Sequence, residues 1–164
     1  MFTHFDEKGD AIMVDIAHKE QTVRTATAVG SIVLSLAAYN AVKNGTIKKG
    51  DVLGIARTAG IMATKQTPHL IPLCHNIAIE KVTFSFNYID KKQTIQACCT
   101  VKTTGKTGVE MEALTGVNMA LLTIYDMCKA YDKSMKISDI YIEEKIGGKS
   151  GVYHHVEGMK KKED

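Results

Sequence analysis

The chain has 164 residues, 45% apolar and 24% charged, with 21 basic against 18 acidic side chains and a formal net charge of +3. That length holds one well-cored domain, and that composition excludes wholesale disorder. So mild a positive charge makes no case for nucleic acid by itself, and with aromatics at 6% and no tryptophan a stacking platform for single strands is not expected.

Residues 1–20 are mixed in pattern, with MVDIA at 13–17 the one apolar knot, and read as an N-terminal arm. The opening MFTHFDEKGD is polar and charged, unlike a leader, and no apolar run reaches the ~18 residues needed to span a bilayer. A soluble, cytoplasmic protein is expected. From Thr22 to Leu34 β-branched residues abound; Val23, Thr25, Thr27, Val29 and Val33 share one parity and predict a strand. Ser35 is placed to cap a short helix through Val42, stopped by Asn44-Gly45. Val52, Ile55, Ala56, Ala59, Met62 and Ala63 recur at helical spacing and predict a helix from about Asp51 to Lys65. The stretch 66–76, QTPHLIPLCHN, holds both prolines and reads as a loop.

Beyond it, Val82, Phe84, Phe86 and Tyr88 alternate with polar neighbours, as do Ile95, Ala97, Cys99 and Val101. A turn at 89–92 makes these two runs a hairpin. Thr107 and Glu110 fit a capping box. Val109, Ala113, Leu114, Val117, Ala120, Leu121, Ile124 and Cys128 then give a long helix a broad apolar face through about Tyr131. A last strand is expected from Lys136 to Glu144, with Ile140 and Ile142 on one parity, and a charged tail over about 152–164. Strand, helices, strand, strand, helix, strand is the string of a ferredoxin-like α+β sandwich: an antiparallel four-stranded sheet with helices on one face. One domain spans 1–164.

Cys74, Cys98, Cys99 and Cys128 lack CxxC spacing and are expected to be reduced, mostly buried thiols, with Cys98 and Cys99 on opposite faces of their strand. His69, Cys74 and His75 cluster without a matching second group, so no metal site is expected.

Two stretches imitate a nucleotide loop and fail. GKT at 105–107 wants glycine where Thr100 stands, and GKS at 148–150 wants it at Glu143. The glycines and lysines from Lys145 to Gly151 suit either a phosphate nest or an ordinary turn. Glu110 fits the helix cap; Glu112 is free of it. Asp126 and Lys129, at i and i+3, are either a surface ion pair or an acid/base pair. For the second reading, the apolar bulk of Ile124, Tyr125, Met127 and Cys128 draws both pKa values toward neutrality. His75 suits a polar ligand or plain exposure. Lys49, just before a helix start at Gly50-Asp51, suits an anion or solvent.

KGDVLGIARTAGIMATKQTPHLIPLCHN (49–76), TGKTGVEMEALTGVNMALLTIYDMCKA (104–130) and EKIGGKSG (144–151) closely resemble the cyclic pyranopterin monophosphate synthase family, MoaC. THFDEKGDAIMVDIA looks like the same family's arm, so the likeness is collinear over most of the chain. It implies a ferredoxin-like enzyme that turns 3′,8-cyclo-7,8-dihydroguanosine 5′-triphosphate into cyclic pyranopterin monophosphate and diphosphate. Such an enzyme is a phosphorus–oxygen lyase of molybdenum cofactor biosynthesis, built as a homohexamer, a trimer of dimers with sites at the dimer interface. Asp126 matches the family's assigned active-site residue, and Lys129, Lys49 and Lys145 match its other active-site candidates. Leu73, Cys74, His75, Met111 and Glu112 match its substrate contacts. Arg24, Lys65 and Lys149 are further cations for a triphosphate. No redox cofactor or metal is called for, and magnesium carried by the triphosphate stays open. Two departures stand out: Asn76 where the family commonly has proline, and Gln66 where it often has arginine.

Two other readings use the same fold. One is a module that binds a nucleotide without turning it over. The other is an RNA-binding module, against which QTIQACCTVK at 93–102 offers no aromatic.

Overall fold

The β-branched run beginning at Thr22 forms the central strand, β1 (Thr22–Val33), in a computed structural model that describes residues 8–149 and 151–156. The first residues of the arm and the MKKKED of the tail lie outside the described residues. Leaving β1, the chain makes three helices: α1 (Leu36–Lys43), α2 (Val52–Thr64) and α3 (Thr67–Leu70). A hairpin follows, β2 (Lys81–Ile89) and β3 (Thr94–Gly105), its turn a 3-10 helix at Asp90–Lys92. Then come α4 (Glu110–Cys128), β4 (Lys136–Ile146) and β5 (Tyr153–His154).

The strand order is β2-β3-β1-β4-β5, and every neighbouring pair is antiparallel. β1 and β2 therefore run parallel with β3 inserted between them, and β3 and β4 run parallel with β1 between. This is the split βαβ arrangement of the ferredoxin-like sandwich.

The sheet has a fifth strand beyond the expected four. Gly147, Gly148 and Gly151 adopt positive φ (101°, 74° and 63°) and turn the chain back, so that Tyr153 and His154 pair with Lys145 and Glu144. The start of the expected tail is thus a short edge strand.

Local signals explain the helices. Ser35 Oγ accepts from the Ala38 amide and caps α1, and Asp51 does the same for α2 through the Gly54 amide. The loop expected over 66–76 contains α3, because Pro68 in its first turn needs no amide partner there.

The parity of β1 that faces the helices is not the β-branched one that marks the strand. Ala26, Ala28 and Ile32 are the buried residues beneath the helices, and Gly30 stands among them. The β-branched set Thr25, Thr27 and Val29 looks the other way; Thr27 and Thr100 share a hydrogen bond on that face. Small residues lie under the helices because the packing there is close. Any side chain at Gly30 would strike Val117, Leu121 and Ile140.

Helix α4 buries Val109, Ala113, Val117, Ala120, Leu121, Ile124 and Cys128, the face its periodicity marks. It meets α2 at a glycine crossing. A Cβ at Gly116 would lie 2.9 Å from Thr64 Cγ2 and 3.0 Å from Cys99 Sγ. Cys99 is buried on the core side while Cys98 faces the other side, and all four cysteines are free.

Candidate active site

Two cavities open side by side at the N-terminal end of α4. The first, about 470 Å³, is lined by Ile71, Leu73, Cys74, His75, Ile77, Met111 and Glu112. The second, about 740 Å³, is lined by His18, Lys19, Glu20, Arg24, Lys106, Lys145 and Lys149, with backbone from Gly148. Thr107, Gly108 and Glu110 belong to both and form the partition. One chamber is apolar, the other cationic.

Glu112 is the polar feature of the apolar chamber. It is only 2% exposed, and its Oε2 has no hydrogen-bond partner among the described residues. Burial pushes its carboxyl above the usual range, with Glu110 adding to the rise. An inward carboxyl of raised pKa is equipped to meet an N–H edge or to exchange a proton with a bound ring. Cys74 sits beside it. Burial, and then the Glu112 charge, push that thiol up, which disfavours the nucleophilic thiolate. The third contact of this group, His75, donates from Nε2 to the Val14 carbonyl at 2.7 Å and so ties the arm over the cavity.

The capping box expected at Thr107 and Glu110 does not form. Val109 is the N-cap residue and no side chain caps the helix. Glu110 turns instead to Lys145, 2.6 Å away, with both side chains about a quarter exposed. Two unlike charges in a shared, half-desolvated wall outcompete a backbone amide for the carboxylate. Beside them, the Arg24 Nε donates to the Gly105 carbonyl at 2.9 Å, and any side chain at Gly148 would strike its guanidinium. Lys106 reaches across to the arm, donating to the Ala17 carbonyl at 2.6 Å.

The remaining candidates lie elsewhere. Asp126, Lys129 and Lys49 gather at the C-terminal end of α4. Lys129 Nζ stands 2.7 Å from Asp126 Oδ1, and Lys49 Nζ donates to the Asp126 carbonyl at 2.9 Å, with Oδ2 at 3.5 Å. This corrects the expectation of a desolvated pair. The side chains are 61%, 54% and 47% exposed for Asp126, Lys129 and Lys49. The hydrogen bond and charge of Lys129, with Lys49 behind, hold Asp126 below the usual carboxylate range, and Asp126 in turn raises Lys129. In this chain the two values move apart, not toward neutrality. Lys65 is the C-cap residue of α2 and lines neither cavity.

Sequence reasoning missed the partition and the arm's cations. Glu110 was absorbed by its capping spacing, and Lys106, Lys19 and His18 carry no spacing signal. A lysine immediately after the end of β3, in TGKTG, was the one available hint.

A profile of the MoaC family matches residues 13–148, from the arm through both cavities to the glycine turn. The chain belongs to the MoaC family. It is similar to a cyclic pyranopterin monophosphate synthase of Pelobacter propionicus, 54% identical over 158 residues that cover 96% of this chain and 99% of the relative. A protein of that name in Heliobacterium modesticaldum is 55% identical over 151 residues, covering 92% and 95%. One in Clostridium botulinum is 54% identical over 150 residues, covering 92% and 94%. As a MoaC-family chain it carries its matched residues in two groups, at opposite ends of one helix. About four turns, roughly 21 Å at 1.5 Å per residue, part Glu112 from Asp126.

Proposed function

We propose that this chain is the cyclic pyranopterin monophosphate synthase of molybdenum cofactor biosynthesis. As such it is a lyase that converts (8S)-3′,8-cyclo-7,8-dihydroguanosine 5′-triphosphate to cyclic pyranopterin monophosphate and diphosphate. The observation that carries the reading is the pair of cavities with a common wall, on a chain more than half identical to proteins of that name. An apolar chamber with an inward carboxyl suits the ring system, and the adjoining cationic chamber suits three phosphates.

The chemistry follows from the two chambers. The ring lies against Leu73 and Met111, with Glu112 and His75 as its polar partners. Rearranging it requires protons to leave and join ring nitrogens and ribose oxygens. The cyclic phosphate closes when a ribose hydroxyl attacks the α-phosphorus. A new P–O bond forms, the bond to the β-phosphate oxygen breaks, its electron pair leaves on diphosphate, and the hydroxyl proton passes to a base. Lys145, Lys149 and Arg24 stabilise the charge that grows on the departing oxygens, and Lys106 adds to that field. Asp126, with Lys129 and Lys49, is assigned to proton transfer by its match to the family; its exposed charges would come into range for that only when substrate and a second chain desolvate them.

A compact substrate does not reach both groups on one copy. An antiparallel pair of chains, each giving the start of its α4 to the end of the other's, makes two equivalent composite sites. Three such dimers make the homohexamer that the family resemblance implies. We place the enzyme in the cytoplasm; among the described residues, no helix is long and apolar enough to cross a membrane.

The test is incubation with the cyclic triphosphate, followed by assay of diphosphate and pterin. Turnover is expected from the native chain, and Asp126→Asn should lose about 10²–10⁴-fold in rate while melting as the native protein does. Tight binding of the triphosphate with no diphosphate release would make this a nucleotide-binding module instead.

A further inference from the structure

We infer that Asp132 is a positioning residue for the Lys49–Asp126–Lys129 group, acting as a latch between the start of α1 and the end of α4. The inference rests on the proposed role of that group in the synthase reaction.

The group stands on two separate supports. Asp126 and Lys129 belong to the last turn of α4 and its C-cap. Lys49 comes from the turn that follows α1, where Ile47 is buried and its carbonyl accepts from the Gly50 amide at 3.0 Å. That turn is fastened to α1, since the Gly45 and Thr46 amides donate to the Val42 and Ala41 carbonyls. On one side Lys49 is therefore held by α1; on the other, α2, which crosses α4 at Gly116, begins three residues later. The α2 side is fixed by that crossing, so the play left in Lys49 over Asp126 depends on how firmly α1 is held to the end of α4.

Asp132 supplies a fastening. It lies in the connection after α4, buried, with its own amide donating to the Cys128 carbonyl at 3.1 Å. One carboxylate oxygen accepts from the Ser35 amide at 2.6 Å. The other accepts from the Ser134 amide at 2.8 Å and the Ser134 hydroxyl at 2.6 Å. Ser35 is the N-cap residue of α1, so the carboxylate also sits at the positive end of that helix. A buried carboxylate with three donors costs far more to disturb than a surface pair. The exposed ion pairs of Asp126, by contrast, are individually weak and do not hold two helices in place.

The Ser35 backbone offers a clean test. Its φ is −62°, close to the value a proline ring fixes, and proline has no amide to donate. Ser35→Ala removes the side-chain cap of α1 and keeps the latch; Ser35→Pro removes both. The difference between them isolates the bond to Asp132. Asp132→Asn attacks the same bond from the other side, and the double variant should be no worse than the poorer single one.

Two readouts are needed. In the native chain and the three single variants, kcat and KM are measured with the cyclic triphosphate, and the Asp126 carboxyl is titrated by carbon-13 NMR. Ser35→Pro and Asp132→Asn should lose about 10–100-fold in kcat, the scale of an ångström of misplacement. KM should change less than about threefold, because the two cavities lie at the far end of α4. In both variants the Asp126 titration should move up toward the ordinary carboxylate value as Lys49 withdraws, leaving Lys129 as its partner. Ser35→Ala should stay near native in both. If Ser35→Pro matches Ser35→Ala in kcat and in the Asp126 titration, the latch is wrong. A loss of kcat in Ser35→Pro and Asp132→Asn with an unmoved Asp126 titration would leave Asp132 a structural residue only, and likewise overturn it. Should the native chain release no diphosphate, the proposed function fails on that ground, and the titration still decides the latch.

Discussion

Glu112 shows what a single buried carboxyl does to the whole chain. Its folded form holds a proton more tightly than the unfolded form does. Its contribution to stability is therefore full below the ordinary glutamate pKa of about 4.3 and is lost as pH rises through the raised folded value. Glu112→Gln should melt higher than the native chain at neutral pH and equally below about pH 4. Melting curves across pH check it, and parallel curves for the two proteins would show that Glu112 is not charged at a cost. Lys145 gives a second prediction. If its charge is what matters, Lys145→Arg should stay within about tenfold of native turnover, and Lys145→Gln should fall by about 10²–10³-fold. Equal losses would mean that shape or titration is required. Side-chain identities at these positions were legible in the sequence; environments were not. Asp126 looked desolvated because its sequence neighbours are apolar, but successive helix residues point 100° apart. Ile124, Met127 and Cys128 face the core while Asp126 faces out.

Elements were legible wherever a local rule sets them. The caps at Ser35 and Asp51 and the apolar stripe of α4 needed no tertiary information. The core-facing parity of β1 did need it. Two helices lying close on a sheet select alanine and glycine beneath them, and no propensity scale marks small residues as core. The same closeness makes a prediction at the α2–α4 crossing. In an open helix, Gly→Ala gains about 1 kcal/mol. At Gly116 the added methyl meets Thr64 and Cys99 at about 3 Å, and overpacking of that kind costs about 1–3 kcal/mol. Gly116→Ala should therefore be destabilising in urea titration, and a gain in stability would mean that the crossing relaxes easily.

The order of elements was enough for the topology, because short connections and split βαβ units leave few ways to lay these strands side by side. The spacing of Glu112 and Asp126 on one expected helix already parts them by roughly 21 Å, and the structure keeps the two groups at opposite ends of α4. Complementation tests how they meet. Asp126→Ala and Glu112→Ala proteins, each inactive, are mixed under conditions that exchange subunits, with exchange followed by mass spectrometry. Mixed dimers with composite sites hold one site free of both substitutions, so activity should return. Proven exchange without activity would show that these two residues do not serve one substrate from opposite chains.

The contact of Glu110 with Lys145 has a consequence for selectivity. A carboxylate already occupies the lysine's coordination space, so an arriving anion must displace it, as in an ion-exchange resin. A single phosphate, which replaces one anionic partner with another, gains little from the swap. A polyphosphate that also engages Arg24, Lys106 and Lys149 gains from cations that, among the described residues, no carboxylate is seen to hold. If the triphosphate is seated as proposed, the resident anion would set a threshold: small phosphates would be kept out, and a ligand with enough charge to take several seats at once would be let in.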